Sequence, residues 1–376
     1  MENKKSSKIK VIILSIILVM FILIIARYMT NEEFRNFIDI KVLGKQVSEN
    51  NLEFIEINSE DNPSYFAYDK YIGIIAKNKL SIYNDKGNIE NSFEISISNP
   101  IINTNEKFVI IAEKDGNKFY VVNSSSLLFQ GTIDGKINKV SINKNGYISI
   151  IASNSTYNSI VIVYDNDNNE LFKTFLRSTY AMCSSISDSN NYVAIGEIDY
   201  TGTVIKSNVE IIDTQTAKKV YTFNGLDNEI LTNIVYDDND VAICNFSNSV
   251  YSVTPNSNTK LYDITDDVQF SNIDMKNTLA IIERESSGLF SYEYKLKLKS
   301  SNSSTENIYI LNNGLPKATI ANGNFIVLNY GNRVYIVNKS GTLKKYYIST
   351  QQIKDTLISN NICGIVYKDK IEIISL

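Results

Sequence analysis

YIGIIAKNKLSIYNDKGNIENSFEI, residues 71–95, reads as three short strands separated by two turns. Apolar and polar residues alternate in KLSIY, the signature of a strand with one buried face. Lys-Asn and Asn-Asp-Lys-Gly-Asn fill the turns, as residues that tolerate tight backbone geometry do. The theme returns at 108–133, 148–175, 193–223 and 325–348, and in more divergent form from Val241 and Thr278. Between copies lies one more short strand: SYFAY, NPIINT, KVSINK, CSSISD, NIVYDD, FSNIDM, KATIAN and DTLISN. Four strands recurring about every 41 residues are the period of a β-propeller blade.

The short strands count eight units, so the expectation is an all-β, eight-bladed propeller over residues 52–376, with seven blades as the alternative. The last unit, ICGIVYKDKIEIISL (362–376), stops one strand early, and the first is preceded by a surplus strand, LEFIEI (52–57). Leu52–Ile57 is therefore expected to supply the outer strand of the terminal blade. Closing the ring through the two chain ends removes the exposed edges of a linear array.

Ahead of the repeats stands VIILSIILVMFILIIA, Val11 to Ala26, whose only polar residue is Ser15. Sixteen helical residues span about 24 Å. With Lys10 and Arg27 snorkelling at the ends, the stretch 11–29 is long enough to cross a bilayer. Lys4, Lys5, Lys8 and Lys10 precede it, which puts residues 1–10 in the cytoplasm and the propeller outside a bacterial cell membrane. No small-residue cleavage pattern follows the run, which argues against a removed signal peptide. Residues 30–51, with Phe34, Phe37, Ile38 and Ile40 in a weak helical stripe, read as a helical stalk, with a dimerisation or partner helix as the sharper alternative.

The chain has 37 basic and 41 acidic residues, and outside the tail and Arg27 there are 32 basic and 40 acidic, a net charge of −8. An acidic outer part argues against nucleic acid as a partner. Histidine is absent, which excludes Ser-His-Asp and Cys-His machinery and His-ligated metal. Cys183, Cys244 and Cys363 lie among strand residues, odd in number and widely spaced, and read as small core residues.

Asp165-Asn166-Asp167-Asn168-Asn169-Glu170 begins like a calcium loop but has Glu170 at its sixth position and Leu176 at its twelfth. It reads as a hairpin turn, as does Asp237-Asp238-Asn239-Asp240. Gly131 and Gly135 have no following helix to bind phosphate. Glu197, Asp199, Asp227 and Asp267 are candidate mouth residues for paired-carboxylate chemistry. The preferred contact surface is the ring face built by the blade-to-blade connections. On it lie Arg177 and Tyr180, Asp227 and Asn228, Asp266 and Asp267, Pro316, and Gln351 and Gln352, with Arg177, Tyr180, Asp227 and Asp267 the leading partner-binding candidates. Residues 292–307 read as a lysine-faced outer strand and a loop, the lysines discouraging edge pairing.

One anchor followed by hairpins such as VEIIDTQTAKKVYTF (209–223) resembles the bacterial family of single-pass, membrane-anchored propellers catalogued as domain of unknown function 5711, and more distantly the quinoprotein-like and WD-like propellers. The resemblance covers nearly the whole chain and implies a fold and an extracytoplasmic address. It implies no activity. WD repeats carry a Trp-Asp pair, and quinoprotein dehydrogenases stack their cofactor on tryptophan beside calcium; this chain has no tryptophan. The expected function is a non-catalytic protein-interaction scaffold of the cell envelope, with no cofactor or metal and with an envelope or membrane protein as partner. The alternatives are a ligand- or glycan-binding sensory propeller working with a membrane partner, and a channel-mouth enzyme of glycosidase-like or quinone-cofactor type.

Overall fold

The computed structural model describes residues 2–31, 34, 37–47, 52–288 and 291–376. Eight antiparallel sheets follow one another around a ring. Blade 1 comprises Ser64–Tyr68, Tyr71–Ala76, Lys79–Tyr83 and Ile89–Glu94. Blades 2 to 6 repeat that order, beginning at Pro100, Lys136, Tyr180, Leu231 and Val268, and blade 7 begins at Ala318. The first strand of every blade is one of the eight short strands expected from the sequence. These first strands pack on one another around the axis, and the fourth strand of each blade lies at the rim.

Blade 8 has three strands from the C-terminus, Asp355–Ile358, Ile362–Val366 and Lys370–Ser375. Its outermost strand is Glu53–Glu56, antiparallel to the last, with Ile55 opposite Ile371. The chain ends therefore close the ring as the surplus strand implied. Closure buries Ile55 in the core cluster between blades 8 and 1.

Face-to-face packing of the blades sets their interiors. In Ser159–Tyr164, both sides of the strand are buried, because blades pack face to face and each inner sheet has a neighbour on either side. The outermost strands show one-sided burial, as in Glu170–Leu176. Where an aromatic ring must cover a sheet, glycine makes the room. A Cβ on Gly73 would overlap the ring of Phe66, its cross-strand partner.

Two elements differ from the sequence reading. Tyr292–Ser300 is the third strand of blade 6, paired on both sides, and not an outer strand. Its lysines serve an ion-pair ladder: Lys297 contacts Glu283 and Glu285, and Lys295 contacts Glu285 and Glu293. Alternation alone cannot rank strands within a blade, and four strands of similar pattern left that order open. Second, Gln46–Val47, within the segment read as a stalk, adds a parallel fifth strand to the rim of blade 7.

The N-terminal helix, Glu2–Thr30, contains a stretch, Ile13–Thr30, long and apolar enough to cross a membrane. Its end is tied to the segment that follows. Buried Asp39 accepts a hydrogen bond from the Tyr28 hydroxyl (2.7 Å) and pairs with Lys45 (2.9 Å), next to the strand on blade 7. Of the stripe expected in this segment, Phe37 is exposed, and the side chain of Ile40 lies outside what is described.

Candidate functional site

The two faces of the ring differ. On one, the turns between first and second strands bind each other. Asn143 donates to Ser187 and Asn190, Asp238 and Asn277 exchange two bonds, Asn324 donates to Asn360, and Asn361 to Asp69. Asp69, Asn190, Asp240 and Asn277 have positive φ, which Asn and Asp accept at least cost after Gly. Lys276 of blade 6 reaches Glu106 of blade 2, its opposite in a ring of eight, at 3.8 Å, and also pairs with Asp238 at 3.1 Å. This turn face is thus narrowed at the axis to ion-pair contact. A polar cavity of about 170 Å³ remains beside it, lined by Asp69, Thr104, Glu106 and Asn360 among others.

The other face carries the blade-to-blade connections and has a distinct construction over half the ring. The first strands of blades 3, 4, 5 and 6 each contain a β-bulge near this face, between Ile137 and Lys139, Ala181 and Cys183, Leu231 and Asn233, and Val268 and Phe270. The first strands of blades 1, 2, 7 and 8 pair without a shift. The extra residues, Asn138, Met182, Thr232 and Gln269, are all exposed. A bulge re-aims a side chain at the end of a ladder and is frequent beside functional sites. The four residues form an arc around one half of the channel mouth, and Lys139 of blade 3 comes to 3.5 Å of the Thr232 carbonyl of blade 5 inside it. Sequence reasoning missed these residues. The available signal was a skip in alternation: Ile137 and Val140, and Leu231 and Ile234, are buried three apart.

The four leading candidates fall on the connections of this same arc. Arg177 and Tyr180 join blades 3 and 4, Asp227 leads from blade 4 to 5, and Asp267 from blade 5 to 6. Each has its own local partner. Arg177 lies over the Tyr157 ring (5.1 Å), and Tyr180 stacks on Tyr200 (4.9 Å). Asp227 pairs with Lys206 (3.6 Å), and Asp267 with Arg284 (3.0 Å), which in turn lies over Tyr292 (4.8 Å). The structure brings them to one arc and not into one cluster. Asn228, Asp266, Gln351 and Gln352 are exposed on connections, whereas Pro316 is buried. Exposed Tyr200, Ile205, Ile230 and Tyr292 add apolar surface to this face.

Glu197 is not open at the mouth. It is 4% exposed, and its Oε2 accepts a hydrogen bond from Thr179 Oγ1 at 2.8 Å. Burial and then the neighbouring Glu210 push its carboxyl up to about 7. Asp199 accepts from its own turn through Thr201. The expected hairpin at 165–170 joins the third and fourth strands of blade 3. Asp165 spends its oxygens within it, on the N–H groups of Asp167 and Asn169 and the Asn169 amide. Among the described residues no group of three Asp, Glu, Cys or His side chains is arranged to hold a metal ion. All three cysteines are buried; burial pushes the Cys183 thiol up to about 12 and raises the other two as well.

The model of the family of unknown function DUF5711 matches residues 46–376, which includes both closing strands. The chain belongs to this family. No curated protein matches it. Among solved structures, BamB from Moraxella catarrhalis superposes with a TM-score of 0.52 at 12% identity, covering 88% of this chain and 97% of that one. The C-terminal WD40 domain of Sif2 gives 0.56 at 11% identity, over 86% and 99%. At such identities the likeness is one of fold. It confirms the propeller and the propeller character of the family.

Proposed function

We propose that this family member is a membrane-anchored, non-catalytic protein-interaction scaffold, its propeller on the outer side of a bacterial cell membrane, and that its protein partner seats on the arc of blades 3 to 6. The observation that carries the reading is the run of four bulged first strands, which aims Asn138, Met182, Thr232 and Gln269 outward beneath the connections bearing Arg177, Tyr180, Asp227 and Asp267. The turn face offers less, because its polar groups are spent on one another. The outward address rests on the four lysines before the apolar helix. BamB and WD40 propellers lend the analogy of a rigid ring that presents loops, and fold alone carries no further.

The test is photo-crosslinking in cells, with the reactive residue placed at Met182, Thr232 or Gln269 and, for comparison, at Asp85 or Lys339 on turns of the opposite face. One discrete adduct from the arc positions, lost when Arg177 and Tyr180 are both changed to alanine, is the expected result. Equal adducts from both faces, or none, overturn the assignment of the face.

The exposed aromatic rings of Tyr200 and Tyr292 favour one second reading, in which the arc binds a glycan and a membrane partner relays the signal. Stabilisation of the full chain by cell-wall fragments, absent in Tyr200→Ala, would select it.

A further inference from the structure

We infer that the bilayer lies on the side of the turn face, beside blade 7, and that the arc of blades 3 to 6 is held clear of it. The partner of the arc is then an extracytoplasmic protein domain and not a membrane-embedded segment. The inference rests on the readings of Ile13–Thr30 as a membrane anchor and of the arc as the contact face.

The anchor reaches the ring through a short clamp. Near the end of the helix, the Tyr28 hydroxyl donates to Asp39 (2.7 Å). Lys45 is bonded twice to Asp39, its Nζ to the carboxylate and its backbone N–H to the carbonyl, each at 2.9 Å. The Lys45 carbonyl in turn accepts from the Tyr346 N–H of blade 7 (2.9 Å). These linked contacts hold the end of the helix at the rim of blade 7. Val47 and Leu52 then pack against the core cluster between blades 7 and 8. The matched family region begins at residue 46, so this strand belongs to what the family shares.

The direction of the strand says which face is nearer the anchor. Leu343–Ile348, the fourth strand of blade 7, starts at the turn face, where the Lys339 N–H donates to the Asn324 carbonyl (3.1 Å). Gln46–Val47 runs parallel to it, with Gln46 opposite Tyr346. The chain therefore climbs toward the connection face, and the clamp and helix that precede Gln46 lie on the turn-face side. In a ring of eight, blades 7 and 8 stand opposite blades 3 and 4. The connection bearing Arg177 and Tyr180 is thus across the ring from the clamp. Strands of six residues set the two faces about 20 Å apart. That exceeds the roughly 8 Å over which lipid charge acts at physiological salt. Arg177, Asp227 and Asp267 are left to read charge on a protein.

Fluorescence quenching tests the orientation. A dye is placed on single cysteines introduced at Asn31, Lys339, Gln351 or Met182, all exposed, while the native cysteines are buried. The full chain is reconstituted in phosphatidylcholine vesicles that carry a nitroxide on the lipid headgroup. Asn31 at the helix end and Lys339 on the turn face should lose fluorescence, Gln351 on the connection face should lose less, and Met182 on the arc should keep it. Quenching at Gln351 or Met182 equal to or above that at Lys339, with Asn31 quenched, overturns the orientation and leaves the anchor standing. An unquenched Asn31 overturns the anchor and the orientation with it. The partner peptide crosslinked in cells from Met182 should lie outside any apolar span of its protein; one from within a membrane-spanning segment overturns the partner class. Loss of face-specific crosslinking with the quenching pattern intact removes the contact face and upholds the orientation.

Discussion

The Tyr347 hydroxyl donates a hydrogen bond to Glu372 across the seam between blades 7 and 8. Tyr347 is on the fourth strand of blade 7 and Glu372 on the last strand of the chain, and both are buried. Tyr367 joins them, 2.8 Å from the Tyr347 hydroxyl and 3.2 Å from Glu372, and donates to Ser349 at 2.8 Å. Lys370 pairs with the other carboxylate oxygen. This network fastens to blade 7 the same strand that the chain's N-terminal end pairs with, Glu372 standing opposite Phe54.

Tyr347→Phe removes one bond to a charged acceptor and should cost about 1.5–3 kcal/mol. Glu372→Leu takes the charged acceptor from Tyr347 and the ion-pair partner from Lys370, and should cost more, about 3 kcal/mol or above. Denaturant unfolding of the full chain in micelles measures both. A Glu372→Leu protein as stable as the wild type would show that the seam is held by apolar packing alone.

Closure by Glu53–Glu56 is tested by two neighbouring residues that face opposite ways. Ile55 is 2% exposed and Phe54 is 51% exposed. Ile55→Asp buries an unpaired carboxylate and should detach the strand, so that hydrogen exchange across Lys370–Ser375 rises sharply. Phe54→Asp should leave that protection intact. Equal effects from both would mean that the strand contributes through its backbone alone.

How much of this was legible in the sequence follows from how local each feature is. Strands with alternating burial, such as Lys79–Tyr83, announce themselves within five residues. The closing strand was legible because a unit one strand short and a surplus strand at the other end solve each other. Gln46–Val47 was not, since two residues carry no period and their pairing with Tyr346 and Tyr347 lies 300 positions away in the chain. The bulges shift the phase of alternation by one residue, which a search for period two reads as noise. Arg177 and Tyr180 were placed on the correct connection because connections are countable. Glu197 was misjudged as a mouth residue because its burial depends on a neighbouring blade.

Gly73 gives a packing test. It lies opposite Phe66, and a methyl group there meets the ring. Gly73→Ala should therefore destabilise by about 1–3 kcal/mol through overpacking, despite alanine's lower unfolded-state entropy. Phe66→Leu shortens the ring and should offset part of that cost, so the double mutant should be less destabilised than the sum of the singles. Strict additivity would show that the sheet, and not the ring, absorbs the methyl.

The last prediction concerns pH, and the composition makes it clean. With no histidine, the α-amino group is the one other group whose ordinary range lies near neutrality. Glu197 is held above its ordinary 4.5, at about 7, by burial and then by Glu210. The folded chain thus binds this proton more tightly than the unfolded one. Its stabilising contribution is complete below about pH 4.5 and is lost as pH rises to about 7, beyond which it is flat. Asp237 and Asp274, also raised by burial, slope in the same direction, so the total curve cannot isolate one residue. The difference between wild type and Glu197→Gln can. Unfolding midpoints measured from about pH 4.5 to 8 should converge in slope for the variant and fall for the wild type. Parallel curves would place the Glu197 proton elsewhere.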